Sequence, residues 1–240
     1  MRKVLDRFHA IDLSHPLHEK IPTWSGGCGF RLEVKLDYPQ GLRVQSLKSH
    51  AGVGTHIDAP THFIEGSWNI GDIPLENLIV PVCVLDVREK MEPDLFISAE
   101  DVEAFEEKYG QVPSHSLFLA NTGWSQFWLD PIKYRNPDAE GRMHFPGFSE
   151  SAAKLLLRRG VVGVGIDTMS PDGSTNGVGV RYPVHELVLG ARGYIIENLV
   201  NLEKMPAVGA FAIALPPRVK EATECAARVI GLVDAQSRHP

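Results

Sequence analysis

Ser149-Glu150-Ser151-Ala152-Ala153-Lys154-Leu155-Leu156-Leu157-Arg158-Arg159-Gly160-Val161-Val162-Gly163-Val164-Gly165-Ile166 reads as a helix followed at once by a strand. Ser149 suits an N-cap, and Ala152, Leu155 and Leu156 recur at helical spacing. Arg158 and Arg159 suit the negative end of the helix, and Gly160 supplies a left-handed stop. Residues 161–166 are then apolar or glycine, as in a strand covered on both faces. Outward from this stretch the same alternation recurs. Ser98 with Asp101 three residues on opens a helix that turns Val102 and Phe105 inward and stops before Gly110. Residues 79–87, 117–120, 194–196 and 211–215 are short apolar runs between turn residues and read as buried strands. A further helix is expected over 220–232, with Ala222, Cys225, Ala226 and Val229 on one face. Interleaved strands and helices define an α/β class. With no repeat, linker or low-complexity tract, residues 1–240 read as a single domain.

The chain has 240 residues, 43% hydrophobic and 22% charged, with a net charge of −6. That is the balance of a globular protein with a substantial core. The acidic balance argues against a nucleic-acid or anionic-membrane surface, and no run is long enough to span a bilayer. Residues 1–9 have a basic start but no apolar segment, so no signal peptide is expected. Cys28, Cys83 and Cys225 are widely separated and form no CxxC pair, which points to a reducing cytoplasm without disulfides or a zinc knuckle. Cys28 among Gly26, Gly27 and Gly29 fits a reactive thiol or, more simply, a small residue in a turn. Residues 23–29, 123–148 and 168–183 are long irregular segments. Their aromatics, among them Trp124, Trp128, Tyr134, Phe145 and Phe148, fit either the walls of a pocket or surface excursions packed on the core.

The chemistry concentrates in Ser49-His50-Ala51-Gly52-Val53-Gly54-Thr55-His56-Ile57-Asp58-Ala59-Pro60-Thr61-His62-Phe63, which holds three of the ten histidines. His56 and Asp58 are two apart, so an extended chain sends both side chains to one face. An imidazole beside a carboxylate is a partial shell for a borderline dication, but a catalytic zinc needs about three protein ligands. His185 and Glu197 are the candidates for the remainder. Pro60 ends the strand or confines it to an edge, which frees His62 to project into a cleft. Asp167 and Asp172 read either as carboxylates that steady a ligand from behind or as turn residues. No GxSxG elbow, P-loop or GxGxxG opening a helix is present, and Gly163-Val164-Gly165 reads as strand packing.

The stretch from Gly54 to Phe63 resembles the HxGTHxDxPxHF signature of the cyclase-type metal-dependent hydrolases, the family that includes bacterial kynurenine formamidase and isatin hydrolase. The resemblance extends through Ile11-Asp12-Leu13-Ser14 to Trp24, Asn121-Thr122-Gly123-Trp124, Phe145 to Ser149, Gly165 to Thr168, His185, Glu197-Asn198-Leu199 and Ala214-Leu215-Pro216. It implies an α/β domain with a central barrel-like mixed sheet flanked by helices, of the swivelling β/β/α type, usually in dimers or tetramers. It also implies one or two divalent ions, Zn²⁺ or Mn²⁺. By position His56 and His185 would each bind an ion, Asp58 would ligate or bridge, and Glu197 would bind one or both. His62 would be the general acid/base, and Trp24 would line the substrate pocket. The implied activity is hydrolysis of an amide, cyclic amide or lactone in a small aromatic or cyclic substrate. A small-ligand-binding protein of the same fold and a metal-dependent lyase or dehydratase are the alternatives.

One departure stands out. The signature's first metal-binding histidine falls four residues before His56, where this chain has Gly52. His50 stands six residues before, a span of roughly 20 Å if extended, against about 4 Å between two donors on one ion. Either Gly52-Val53-Gly54 folds back so that His50 serves as a ligand, or one ligand is lost and the site is mononuclear or altered.

Overall fold

The computed structural model describes residues 7–174 and 181–235. Residues 175–180 of the irregular segment 168–183, and residues 1–6 of the basic start, lie outside the described residues. In chain order the elements are β1 (Phe8–Asp12), β2 (Phe30–Leu36), β3 (Val44–Ser49), β4 (His56–Asp58), β5 (Ile79–Asp86), β6 (Phe96–Ile97), α1 (Ala99–Tyr109), β7 (Leu117–Asn121), α2 (Pro131–Arg135), β8 (Gly147–Phe148), α3 (Glu150–Arg159), β9 (Gly163–Ile166), α4 (Pro183–Gly190), β10 (Tyr194–Glu197), β11 (Ala210–Leu215), β12 (Glu224–Ala226) and β13 (Arg228–Asp234). Nine strands form one mixed sheet in the order β1-β13-β11-β5-β7-β9-β10-β4-β12, curled into a half-barrel. The parallel strands β5, β7, β9 and β10 form its middle, and antiparallel pairs extend it on both sides.

The period-2 alternation of each central strand divides two apolar layers. On β7, Leu117 and Leu119 join the layer inside the curl, and Phe118 and Ala120 join the layer beneath the helices. On β10, Tyr194 and Ile196 face the first layer and Ile195 the second. Helices α1, α3 and α4 cover that second layer through Val102 and Phe105, Leu155 and Leu156, and Val184 and Val188. The capping signals do their expected work. Ser98 and Asp101 form a capping box on α1, Ser149 accepts from the Ala152 amide, and Gly160 closes α3 with φ 80°. The aromatics of 123–148 pack inward: Trp124, Trp128, Tyr134 and Phe145 form a third apolar cluster with Ile21, Phe30 and Met169.

The helix expected over 220–232 is not formed; the segment is extended as β12 and β13. Its apolar positions satisfy a helical period, but Val229, Ile230 and Val233 favour strands, and Gly231 weakens a helix. Tertiary demand decides the matter. β4 needs an antiparallel neighbour on one side of the sheet, while β1 and β11 need one on the other. A single extended run meets both demands, with Ala227 between its two halves and the Ala227 amide donating to Thr55 O.

Gly163 lies where β9 pairs with Tyr194 of β10. A Cβ there would fall 2.5 Å from the Tyr194 carbonyl oxygen, and backbone cannot yield without disturbing the ladder. Gly163→Ala is therefore expected to cost about 1–3 kcal/mol of stability, as overpacking of a well-filled interior does. Urea unfolding checks this, and an unchanged midpoint would show that the two strands can separate freely.

Candidate metal centre

Sheet register assembles the site. β4 lies between β10 and β12, with Glu197 opposite His56, Ile196 opposite Ile57, and Glu224 opposite Asp58. Ile57 and Ile196 point into the inner apolar layer. The alternation therefore sends His56, Asp58, Glu197 and Glu224 to the other face together. His185 arrives from the first turn of α4, close to the carboxyl end of β10, where ligands gather in open α/β sheets.

The donor atoms converge. His56 Nε2 lies 3.4 Å from Asp58 Oδ1 and 3.4 Å from Glu197 Oε2. His185 Nε2 lies 3.6 Å from Asp58 Oδ2 and 3.4 Å from Glu197 Oε1. Each carboxylate thus turns one oxygen to each imidazole. All four residues are buried, and Asp58 Oδ1 has no hydrogen-bond partner. A buried carboxylate oxygen without a donor is costly, and a dication between these groups would satisfy it. A mixed set of imidazole nitrogens and carboxylate oxygens suits a divalent ion.

Both imidazoles are held from behind. His56 Nδ1 donates to Gly54 O at 2.8 Å, and His185 Nδ1 donates to Asp172 Oδ2 at 2.6 Å. Each bond presents Nε2 to the cluster and fixes the tautomer, as outer-shell partners of metal-ligating histidines do. Asp172 also accepts from the Val184 and His185 amides, so it caps α4 as well as orienting its histidine. Asn198 Nδ2 donates to the same Gly54 carbonyl, and Tyr134 Oη donates to Asn198 Oδ1. Asp167 accepts from the Thr122 amide and hydroxyl and from the Ser125 amide, tying two loops together outside the donor cluster.

A cavity of about 420 Å³ opens over the cluster. His62, half-buried in a single turn after Pro60, lines it with Phe63, Trp24, Met169 and Tyr182. Trp24 also meets Phe145 edge-on, with ring centroids 6.4 Å apart. Of the three irregular segments, 23–29 and 168–183 contribute to the wall, whereas 123–148 supports it from the third apolar cluster. His50 does not join the donors. It is exposed after β3 and lines a separate groove, so the Gly52-Val53-Gly54 segment does not fold it back. Glu224 lines the cavity as well, although the sequence pattern around it is that of a helix.

Without a metal the cluster balances itself with protons. Burial opposes the His56 cation, but Asp58 and Glu197 outweigh it and push its pKa up to about 10. Burial likewise opposes charge on Asp58, yet His56 and His185 hold it well below the usual carboxylate range. Glu197 is pushed up by burial and by Asp58. A dication must displace the histidine proton, so binding is expected to release protons at pH 7 and to weaken as the pH falls. Calorimetry of metal binding in buffers of different ionisation enthalpy measures this. Heats that do not depend on the buffer would contradict it.

This fold and donor set define a metal-dependent hydrolase class. Residues 11–173 match the family model described as putative cyclase, and the chain belongs to that family. It is 31% identical over 187 residues to isatin hydrolase of Roseibium aggregatum, covering 75% of this chain and 71% of the relative. It is 26% identical over 224 residues to kynurenine formamidase of Polaromonas naphthalenivorans, covering 91% and 88%. Among solved structures, isatin hydrolase A from Labrenzia aggregata bound to benzyl benzoate superposes with a TM-score of 0.87 at 29% identity, covering 95% of each chain.

Proposed function

We propose that the protein hydrolyses a C–N amide bond, or the ring bond of a cyclic amide or lactone, in a small aromatic or cyclic substrate. The ion would be Zn²⁺ or Mn²⁺, held by His56, Asp58, His185 and Glu197. The observation that carries this reading is Asp58, buried between two braced imidazoles with no hydrogen-bond partner on Oδ1, at the floor of a cavity walled by aromatics. The names of the relatives, isatin hydrolase and kynurenine formamidase, support the substrate class. When bound, a divalent ion supplies Lewis acidity at a carbonyl and lowers the pKa of water.

The chain's own residues supply the rest. Asp58 and Glu197 provide negative charge that binds the ion, and His56 and His185 fix its position through nitrogens braced from Gly54 and Asp172. Trp24 and Phe63 offer ring faces to a flat substrate body, which aligns its carbonyl over the cluster. His62 lines the same cavity, and one of its ring nitrogens comes within 4.8 Å of donor atoms of Asp58 and His185. It takes the proton released by attacking water and returns it to the leaving nitrogen or oxygen.

His62→Ala is expected to retain metal and lose about 10²–10⁴-fold in kcat, the usual contribution of a positioned acid/base. His56→Ala and Asp58→Ala should lose metal and activity together. N-formyl aryl amides and cyclic aryl amides are the substrates to assay, with metal content measured on each variant. Incorporation of label from ¹⁸O water distinguishes hydrolysis from elimination. Full turnover by metal-stripped protein would sink the reading.

We also propose that the protein works as a homo-oligomer. Among the described residues the β2–β3 hairpin pairs only with itself, and it exposes Leu32, Val34, Leu36, Val44 and Leu47. A lone two-stranded hairpin is marginal in water, and a second copy can cover such a patch. Light scattering should give a dimer or larger for the native chain, and a smaller species for Leu32→Glu/Leu47→Glu. A monomeric native protein would rule this out.

A further inference from the structure

We propose that Glu224 is a metal ligand, supplied by β12 into the space that Gly52 leaves open. The proposal rests on the metal-dependent reading above and deepens it. A Cβ built on Gly52 would collide with Glu224 Oε1 and lie 3.1 Å from His56 Nε2. Any side chain at position 52 would therefore enter the donor cluster, and in this chain the Glu224 carboxylate fills that volume. One oxygen of Glu224, one nitrogen of His56 and one oxygen of Asp58 lie within 4.8 Å of one another, a spacing that one ion can span. Pairing of β12 with β4 sets Glu224 opposite Asp58, so the backbone holds its Cα beside the cluster and the side chain has only to reach across.

The surroundings of Glu224 call for a cation. Its side chain is 26% exposed, and among the described residues its one ion-pair neighbour is His62, whose Nδ1 is 3.8 Å from Oε2, too far for a hydrogen bond. No Lys or Arg of the described residues pairs with it. It faces the same cavity as Asp58 and Glu197, so three carboxylates share a site with two buried imidazoles. Glu224 and Asp58 bring oxygens within 4.8 Å of each other, and like charges this close repel unless a positive charge offsets them. Asp58 Oδ1, buried and without a hydrogen-bond partner, is the second atom such an ion would satisfy.

The substitution also changes the chemistry of the site. With Gly52 an ion at His56, Asp58 and Glu224 would meet one imidazole and two carboxylates, where a histidine at position 52 would have supplied a further imidazole. Oxygen-rich sets suit harder ions, so the site should favour Mn²⁺ relative to Zn²⁺ more than a nitrogen-richer set would.

The test compares metal-stripped native protein with Glu224→Ala, Glu224→Gln and the double variant Gly52→His/Glu224→Ala. Each is titrated with Mn²⁺ and with Zn²⁺ against a chelating dye, ions per chain are counted, and Mn²⁺ is followed by electron paramagnetic resonance. Both single variants should bind at least about tenfold more weakly, since even outer-shell losses cost 10–100-fold. Glu224→Gln preserves the volume of the side chain, and its metal-free melting curve should match that of the native chain. The double variant should recover Zn²⁺ affinity more than Mn²⁺ affinity. Native affinity and stoichiometry in both single variants would overturn the assignment and leave the hydrolase reading intact. A loss of turnover with undiminished metal binding would also overturn it, assigning Glu224 to His62 instead. Failure of the native protein to bind either ion would overturn both readings.

Discussion

A strand of three residues, β4, is held by β10 on one side and β12 on the other, and the chemistry depends on that double pairing. Its middle residue, Ile57, is anchored in the inner apolar layer together with Ile196. That anchoring decides which face His56 and Asp58 occupy. A slip of one position would bury the imidazole and the carboxylate among aliphatic side chains and turn Ile57 to the cavity. Hydrophobic burial thus selects the register, and the register presents the charged groups. Burying those groups opposes folding, because each ion costs several kcal/mol to remove from water. The surrounding apolar layers must overcome that cost, and a bound cation reduces it.

The braces behind the imidazoles follow from the same economy of placement. Gly54 O and Asp172 each hold a histidine Nδ1, and each is tied to further structure. Gly54 O also receives Asn198 Nδ2, and Asp172 also receives the first amides of α4. The two sides of the site therefore rest on different supports. The His56 side depends on backbone next to β4 and on the turn after β10. The His185 side depends on a helix start capped by a distant loop. Orientation within about half an ångström is what a site built on rigid elements requires.

Much of this was legible in the residues. Ser149 to Ile166 announced helix, stop and strand through local chemistry, and the structure has them there. His56 and Asp58 could be assigned to one face because the period of a strand is two. His185 and Glu197, by contrast, lie far along the chain; their positions make them candidates for ligands, and only the family resemblance gives each a role. Asp172 was indistinguishable from a turn residue, since its role as a brace exists only once α4 lies against it. Glu224 was hidden by a false period. Ala222, Cys225, Ala226 and Val229 fit a helix as spaced letters, and the unpaired edges that make the segment extended belong to strands much earlier in the sequence. The aromatics of 123–148 were ambiguous for a related reason. Composition shows that they pack, but not whether they face a cavity or a third core.

The run formed by β12 and β13 has a further consequence, for the order in which the protein is assembled. It joins one margin of the sheet to the other, and its far end lies beside the first described residues: Arg7 pairs with Asp234, 227 positions away. Contacts of such separation form late, because loop closure must precede their reward. During synthesis β4 has no neighbour on its outer side until residues 224–226 emerge, although His56 and Asp58 are made early. An ion met by the nascent chain would find an incomplete, mobile set of donors. The full donor set exists only once the last strands of the chain have paired.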